Sequence, residues 1–148
     1  MNRLFVIIFI FGSTKLVAFP SHTVAYKPLQ DTMKLKITIK ENIAKAVLYD
    51  NPTSRDFAML LPLTLELSDY AQIEKVANLP EKLTQKDAPN GFDASVGDLT
   101  YYAPWGNMAL FYKDFGYASG LISLGKITHG LEYFNTEAPV TITIELED

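Results

Sequence analysis

The stretch GDLTYYAPWGNMALFY, residues 97–112, holds five aromatic side chains in sixteen positions and the only tryptophan of the chain. Residues 99–103 and 107–112 each alternate in the way typical of β-strands. Between them, Pro104 suits the first corner of a tight turn, and Gly106 accepts the positive φ that such a turn needs. The stretch therefore predicts a β-hairpin.

Alternation divides the side chains of this hairpin between two faces. One face is expected to fill the inside of a small barrel and carries Leu99, Tyr101, Ala103, Met108, Leu110 and Tyr112. The other carries Thr100, Tyr102, Asn107 and Phe111. Aromatic rings left outside a core favour places that are apolar at one end and wet at the other. Two interpretations stay open: the hairpin is structural packing throughout, or Tyr102 and the turn residue Trp105 edge a ligand groove.

Further strands are predicted from the same kind of alternation. Residues 33–40 (MKLKITIK) and 140–147 (VTITIELE) alternate cleanly, 43–50 follows a plausible tight turn, and 63–70 alternates again. We predict a mainly β fold over residues 33–147, a closed antiparallel β-barrel, because closure removes exposed strand edges. The residues predicted to be buried inside it are Leu35, Ile37, Val47, Leu65, Leu110, Ile142 and Ile144.

Two or so short helices are expected beside the strands. Asn51 is a good N-cap, Pro52 fits the first helical position, and the helix should stop before Pro62. A second short helix is predicted in HGLEYFN, residues 129–135. Residues 72–77 predict an irregular or helical piece, and residues 79–97 a loop-rich excursion.

The first 25 residues have the order of a secretory signal peptide. Arg3 gives a positive start, residues 4–11 (LFVIIFIF) form an apolar run too short to span a membrane, and small residues follow at Ala18 and Ala25. We expect cleavage after one of these two alanines. The expected location is secreted or periplasmic, with membrane contact only through the leader before cleavage.

The inventory of residue types excludes several classes of chemistry. Outside residues 1–25 the chain has 17 acidic and 11 basic residues, so a basic nucleic-acid surface is not expected. Cysteine is absent, which excludes disulfides and thiol catalysis. After cleavage at Ala25, His129 is the single histidine, too few for a transition-metal site, and the sequence has no phosphate-binding loop. We predict no metal and no cofactor.

Three separated blocks carry a resemblance to a known family. Residues 48–70 (LYDNPTSRDFAMLLPLTLELSDY), 97–117 and 124–132 (LGKITHGLE) together resemble the bacterial cyclophilin-like fold proteins. The resemblance extends over Met33 to Glu147. It implies an eight-stranded antiparallel barrel with helices closing its ends, and a glycine-containing hairpin that lines a peptide groove.

The sequence departs from true cyclophilins where their catalysis lies. Their F-H-R block, whose arginine stabilises the twisting prolyl amide, has no counterpart, and Arg55 stands in a different element. The tryptophan and histidine before their F-G-K-V segment correspond by spacing to positions around Gly116, Tyr117 and Leu121. The resemblance therefore implies the barrel without the residues of the isomerase.

The candidate ligand-binding residues are Arg55, Tyr102 and Trp105. Together they would form an apolar wall with one cation, suited to a carbonyl or carboxylate, although a lone solvated arginine is more common than one that contacts a ligand. Three functions remain: a binding module for an extended peptide or small anionic molecule, a peptidyl-prolyl isomerase, and a structural accessory of another exported protein.

Overall fold

The structure of the protein is a computed structural model that describes residues 32–147. The predicted leader, residues 1–25, lies outside the described residues. In chain order the elements are β1 (Met33–Ile39), β2 (Asn42–Leu48), α1 (Pro52–Ala58), β3 (Leu63–Tyr70), β4 (Glu74–Asn78), β5 (Gly91–Ala94), β6 (Asp98–Tyr102), β7 (Asn107–Phe111), β8 (Gly116–Ser119), β9 (Leu121–His129), a 3₁₀ helix (Leu131–Phe134) and β10 (Val140–Leu146).

Eight of the strands close into an antiparallel barrel, as predicted. Their order around the barrel is β1-β10-β3-β4-β7-β6-β9-β2, and β5 and β8 pair with each other as a separate ribbon. The two terminal strands of the domain are neighbours, with Ile37 opposite Ile144. The barrel formed by these strands has no open edge, so the backbone of both terminal strands is paired on each side. Each strand can then turn one face to the core and the other to solvent.

The predicted core is confirmed at every position except Val47. Leu35, Ile37, Leu110, Ile142 and Ile144 are at most 1% exposed and Leu65 is 9% exposed. Val47 is half-buried on the outer face. The reason is the register of the first hairpin.

Directly opposed residues of an antiparallel pair share a face. Inward Leu35 therefore fixes Ala46 as an inward residue, whereas Val47 lies opposite outward Lys34. The prediction chose the wrong face of β2 as the inward one, because alanine is a weaker signal of burial than valine.

The helix α1 forms as predicted. The Asn51 side chain accepts a hydrogen bond from the Ser54 amide at 2.8 Å, and Pro52 occupies the start of the helix. The Ser54 hydroxyl donates to the Leu124 carbonyl at 2.8 Å, and Phe57 is fully buried in the barrel core. The second predicted helix is the short 3₁₀ helix.

Two predictions of irregular structure were incomplete, and one strand was not predicted. Residues 72–77, expected to be irregular or helical, contain most of β4, and the excursion of residues 79–97 contains β5. β8 was not predicted. Short strands give too few alternating positions to stand out in sequence, and β5 and β8 have only four residues each.

Strand β7 is buried on both faces, and this feature positions the site. Met108 and Leu110 point into the barrel core, whereas Ala109 and Phe111 belong to a second apolar cluster outside the barrel. Ala94 of β5 belongs to the same cluster. The β5–β8 ribbon thus covers part of the outer sheet face and leaves the neighbouring part open.

Within residues 32–147, no helix has the length and apolar character needed to cross a membrane. The same residues contain no cluster of three or more histidine or acidic side chains arranged to hold a metal ion.

Candidate ligand-binding pocket

A pocket of about 210 Å³ lies on the outer face of the barrel, beside the β5–β8 ribbon. We call it the aromatic pocket. Its aromatic lining consists of Tyr70, Tyr102, Trp105, Phe111 and Phe115. Its aliphatic lining consists of Val76, Ala109, Ala118 and Leu121, and its polar lining consists of Glu74 and Asn107.

The turn between β6 and β7 carries Trp105 to the edge of this pocket. The Gly106 amide donates to the Tyr102 carbonyl at 2.9 Å, and Gly106 adopts a φ of 73°, a value that glycine reaches without strain. Trp105 is 61% exposed. Its indole makes edge contacts with Tyr102, at a centroid distance of 5.3 Å, and with Tyr70, at 6.0 Å.

Two of the three predicted site residues are brought together, and the third is elsewhere. Tyr102 and Trp105 line the same pocket. Arg55 is not among the residues that line it; it is exposed and pairs with Asp50. The separation follows from the packing of α1, which presses Phe57 onto the barrel core and so turns the opposite face, with Arg55, toward solvent. The ligand-binding roles of all three stay predictions.

Sequence reasoning missed Glu74, the only carboxylate among residues 32–147 that lines the pocket. Glu74 lies opposite Tyr70 of β3 and Phe111 of β7 in the strand register. Burial raises its pKa from 4.5 to about 7, since the ionised carboxylate loses solvation among apolar neighbours. EKVA, residues 74–77, does not alternate between polar and apolar side chains, so no local signal marks Glu74; the pairing of β4 with β3 and β7 places it.

Asn107 was placed on the outer face by the sequence, but its role in the pocket was not foreseen. Its side chain is 4% exposed, and its Oδ1 has no hydrogen-bond partner among the described residues. A buried carbonyl oxygen without a partner costs about 1 to 3 kcal/mol, so such an atom needs an explanation. Asn107 thus carries an unused acceptor at the pocket.

A second cavity, of about 230 Å³, adjoins the aromatic pocket. We call it the polar hollow; its lining is Glu66, Ser68, Val76, Ala77, Asn78 and Asn107. It shares Val76 and Asn107 with the aromatic pocket. The two cavities are therefore neighbours on the outer face of β3, β4 and β7, and we call them together the groove.

A buried ionic network fixes the strands that carry the groove. Lys75 is fully buried and points into the barrel, where its Nζ lies 3.2 Å from Asp69 and donates to the carbonyls of Ala138, at 3.0 Å, and Thr136. The Tyr112 hydroxyl donates to Asp69 at 2.6 Å. These contacts join β3, β4, β7 and the chain before β10.

The pKa values of this network follow its hydrogen bonds. Burial would raise the pKa of Asp69, but hydrogen bonds from Tyr112 and Lys75 outweigh it and hold the pKa below its ordinary value. Burial, with the hydrogen bond to Asp69, raises the pKa of Tyr112 to about 12. Asp69 is thus an ionised structural partner rather than a group that exchanges protons near neutral pH.

The comparison with family profiles agrees with this architecture. The profile of the cyclophilin-like family matches residues 37–145. The chain belongs to the cyclophilin-like family. A comparison with curated proteins found no match.

A solved relative shows the same fold. The solution structure of a hypothetical protein from Archaeoglobus fulgidus superposes with a TM-score of 0.57 at 20% sequence identity. The match covers 82% of this chain and 99% of the archaeal chain. At this identity the likeness concerns the barrel alone, so the function of the cyclophilin-like protein must be argued from its own groove.

Proposed function

We propose that this cyclophilin-like protein is an exported binding module that holds an extended peptide in the groove on the outer face of its barrel. The observation that carries the proposal is that the aromatic pocket and the polar hollow are neighbours, with Val76 and Asn107 in the lining of both. An aromatic pocket beside a polar hollow matches a peptide, which offers a side chain to the first and a polar main chain to the second.

The size and lining of the groove support a peptide over a compact small molecule. A volume of about 210 Å³ is smaller than the roughly 300 to 1,000 Å³ of pockets that enclose drug-sized ligands, and it suits a single side chain. The Asn107 carboxamide carries both donors and an acceptor, as a peptide group does.

The charges that line the aromatic pocket oppose the small anionic ligand considered from the sequence. Its only charged side chain is Glu74, and no lysine or arginine lines it among the described residues. An anion would lie beside a carboxylate in an apolar surrounding, which is unfavourable.

We propose binding without isomerisation because the chain lacks a counterpart of the catalytic arginine. Rotation about a prolyl bond has a barrier of about 18 to 20 kcal/mol, and catalysis requires a donor directed at the twisting amide. The arginine that serves this purpose in true cyclophilins has no counterpart here, and Arg55 pairs with Asp50 outside the pocket.

Export is supported by the sequence of residues 1–25. The positive start, the short apolar run and the small residues at Ala18 and Ala25 favour a cleaved leader and a secreted or periplasmic location. Intact mass of the protein recovered from the exported fraction tests this part. A mature chain beginning after Ala18 or Ala25 is expected, and a chain that retains Met1 would contradict it.

Peptide binding is tested with fluorescein-labelled heptapeptides in which the central residue is varied. Fluorescence anisotropy gives the affinity, and the emission of Trp105, the only tryptophan, reports contact with the pocket. Tyr102→Ala should weaken binding about tenfold. The control is Tyr117→Ala, which removes a 64% exposed tyrosine that does not line the pocket.

Two results would contradict the proposed function. The first is that no peptide gives saturable anisotropy or changes Trp105 emission. The second is that Tyr102→Ala and Tyr117→Ala weaken binding equally, which would place the peptide on the surface at large rather than in the groove.

A further inference from the structure

The aromatic pocket is lined by rings that stand nearly at right angles to one another. The Trp105 indole stands at 82° to Tyr102 and at 80° to Tyr70. Trp105 is 61% exposed and Tyr70 is 47% exposed, so neither ring is buried in the core. The face of an aromatic ring carries negative potential, and several rings at angles around one space attract a positive charge.

Glu74 adds a full negative charge to the same space when it is ionised. Its strand neighbours on either side are aromatic, Tyr70 and Phe111. The other titratable groups that line the pocket are the phenols of Tyr70 on β3 and Tyr102 on β6. The lining residues from β7, β8 and β9, and Phe115, contribute no titratable group.

We propose that the aromatic pocket selects a cationic side chain, the ammonium or guanidinium group of a lysine or arginine in the bound peptide. The inference rests on the proposed peptide-binding function and names the chemistry of the residue that enters the pocket. The cation lies against the faces of Trp105 and the two tyrosines and pairs with the Glu74 carboxylate.

The pH dependence of binding follows from the sign of the Glu74 ionisation. In the free protein, burial raises the pKa of Glu74 to about 7, so at pH 7 about half of the molecules carry a neutral Glu74 side chain. A bound cation favours the carboxylate and lowers this pKa, and binding therefore releases a proton. Affinity for a cationic peptide should rise about tenfold between pH 6 and pH 8, because the ionised fraction rises by about that factor.

The first experiment compares three peptides that differ only at the central residue: lysine, norleucine and glutamate. We expect the lysine peptide to bind about tenfold more tightly than the norleucine peptide at pH 8 and the glutamate peptide to bind most weakly. Glu74→Gln should bring the lysine peptide to the affinity of the norleucine peptide and remove the pH dependence. The matched control, Glu41→Gln, changes an exposed acid in the turn between β1 and β2 and should leave both unchanged.

The second experiment tests the cation site without a peptide. Choline and 3,3-dimethylbutan-1-ol have the same shape and differ in charge, so Trp105 emission is titrated with each. Saturable quenching by choline and none by the alcohol supports the cation site even if no peptide binds, an outcome that would overturn the peptide function alone. Norleucine binding as tightly as lysine, together with equal responses to choline and the alcohol, overturns the cation site and leaves peptide binding standing.

Discussion

The indole of Trp105 stands almost perpendicular to the ring of Tyr102, with the two centroids 5.3 Å apart. The neighbour of Tyr102 in the chain, Tyr101, points the other way and is 1% exposed inside the barrel. Consecutive residues of one strand thus serve two different purposes. The aromatic density of this hairpin is both a barrel core and the wall of an open pocket.

This division predicts opposite effects for two aromatic truncations on one hairpin. Trp105→Ala should change the free energy of unfolding by less than about 1 kcal/mol, because the side chain is mostly exposed. Tyr101→Ala should cost about 3 to 5 kcal/mol, since it opens a cavity and removes the hydroxyl that accepts from the Leu83 amide at 3.1 Å. Urea unfolding measures both changes in stability. Peptide affinity should fall in Trp105→Ala, because Trp105 lines the aromatic pocket. Comparable destabilisation by the two would show that Trp105 is a core residue.

The raised pKa of Glu74 predicts a pH-dependent stability difference. Between pH 4.5 and about 7 the native state binds more protons at Glu74 than the unfolded chain does, so stability falls as pH rises through this window. Glu74→Gln removes the ionisation and keeps the shape. The variant should match the parent below pH 4.5 and be more stable by about 1 to 2 kcal/mol above pH 7, after allowance for solvent screening.

Urea unfolding from pH 4 to pH 8 checks this difference, with Glu41→Gln as the exposed control expected to show none. A Glu74→Gln variant that is equally or less stable at pH 8 would show that the carboxylate is well solvated or paired in the native state.

The buried ionic network predicts that Lys75 contributes far more to stability than the exposed Lys36. Lys75→Met removes the donor shared by Asp69 and two backbone carbonyls, and should destabilise the protein by about 2 to 4 kcal/mol. The same change at Lys36, which pairs with Glu145 on an exposed strand face, should cost less than about 1 kcal/mol. Thermal unfolding of both variants checks the contrast. Equal effects would mean that the burial of Lys75 adds nothing to its interactions.

A close backbone approach at Gly125 predicts a sharp steric effect on β9. A Cβ added there would lie 1.9 Å from the Val47 carbonyl oxygen, so Gly125→Ala must push β9 away from β2 and should cost about 3 kcal/mol or more. Ser123 on the same strand is the control. Its hydroxyl is buried without a partner among the described residues, and Ser123→Ala should be neutral or slightly stabilising. A tolerated Gly125→Ala would show that the barrel opens easily at this seam.

The sequence predicted the barrel because its long strands repeat a two-residue period, as 33–40 and 140–147 do. It did not predict β5 or β8, which have only four residues each, or β4, whose residues EKVAN do not alternate between polar and apolar. These strands are defined by what they pack against. The same limit hid the candidate site: Glu74 becomes a pocket residue only when β4 pairs with β7. Tyr102 and Trp105 could be selected from the sequence because a hairpin places them by local geometry. The position of Arg55 depends on how α1 docks, which no local pattern specifies.

The separation of Arg55 from the aromatic pocket gives the last prediction. A groove in which Arg55 met Tyr102 and Trp105 would lose affinity when the arginine is removed. In the structure Arg55 pairs with Asp50 on an exposed face of α1, so Arg55→Ala should leave peptide affinity within about twofold and change stability by less than about 1 kcal/mol. Anisotropy with the labelled peptides and thermal unfolding measure the two effects, and Tyr102→Ala provides the positive control for lost binding. A tenfold loss of affinity in Arg55→Ala with unchanged stability would return the arginine to the binding surface and favour an anionic group on the ligand.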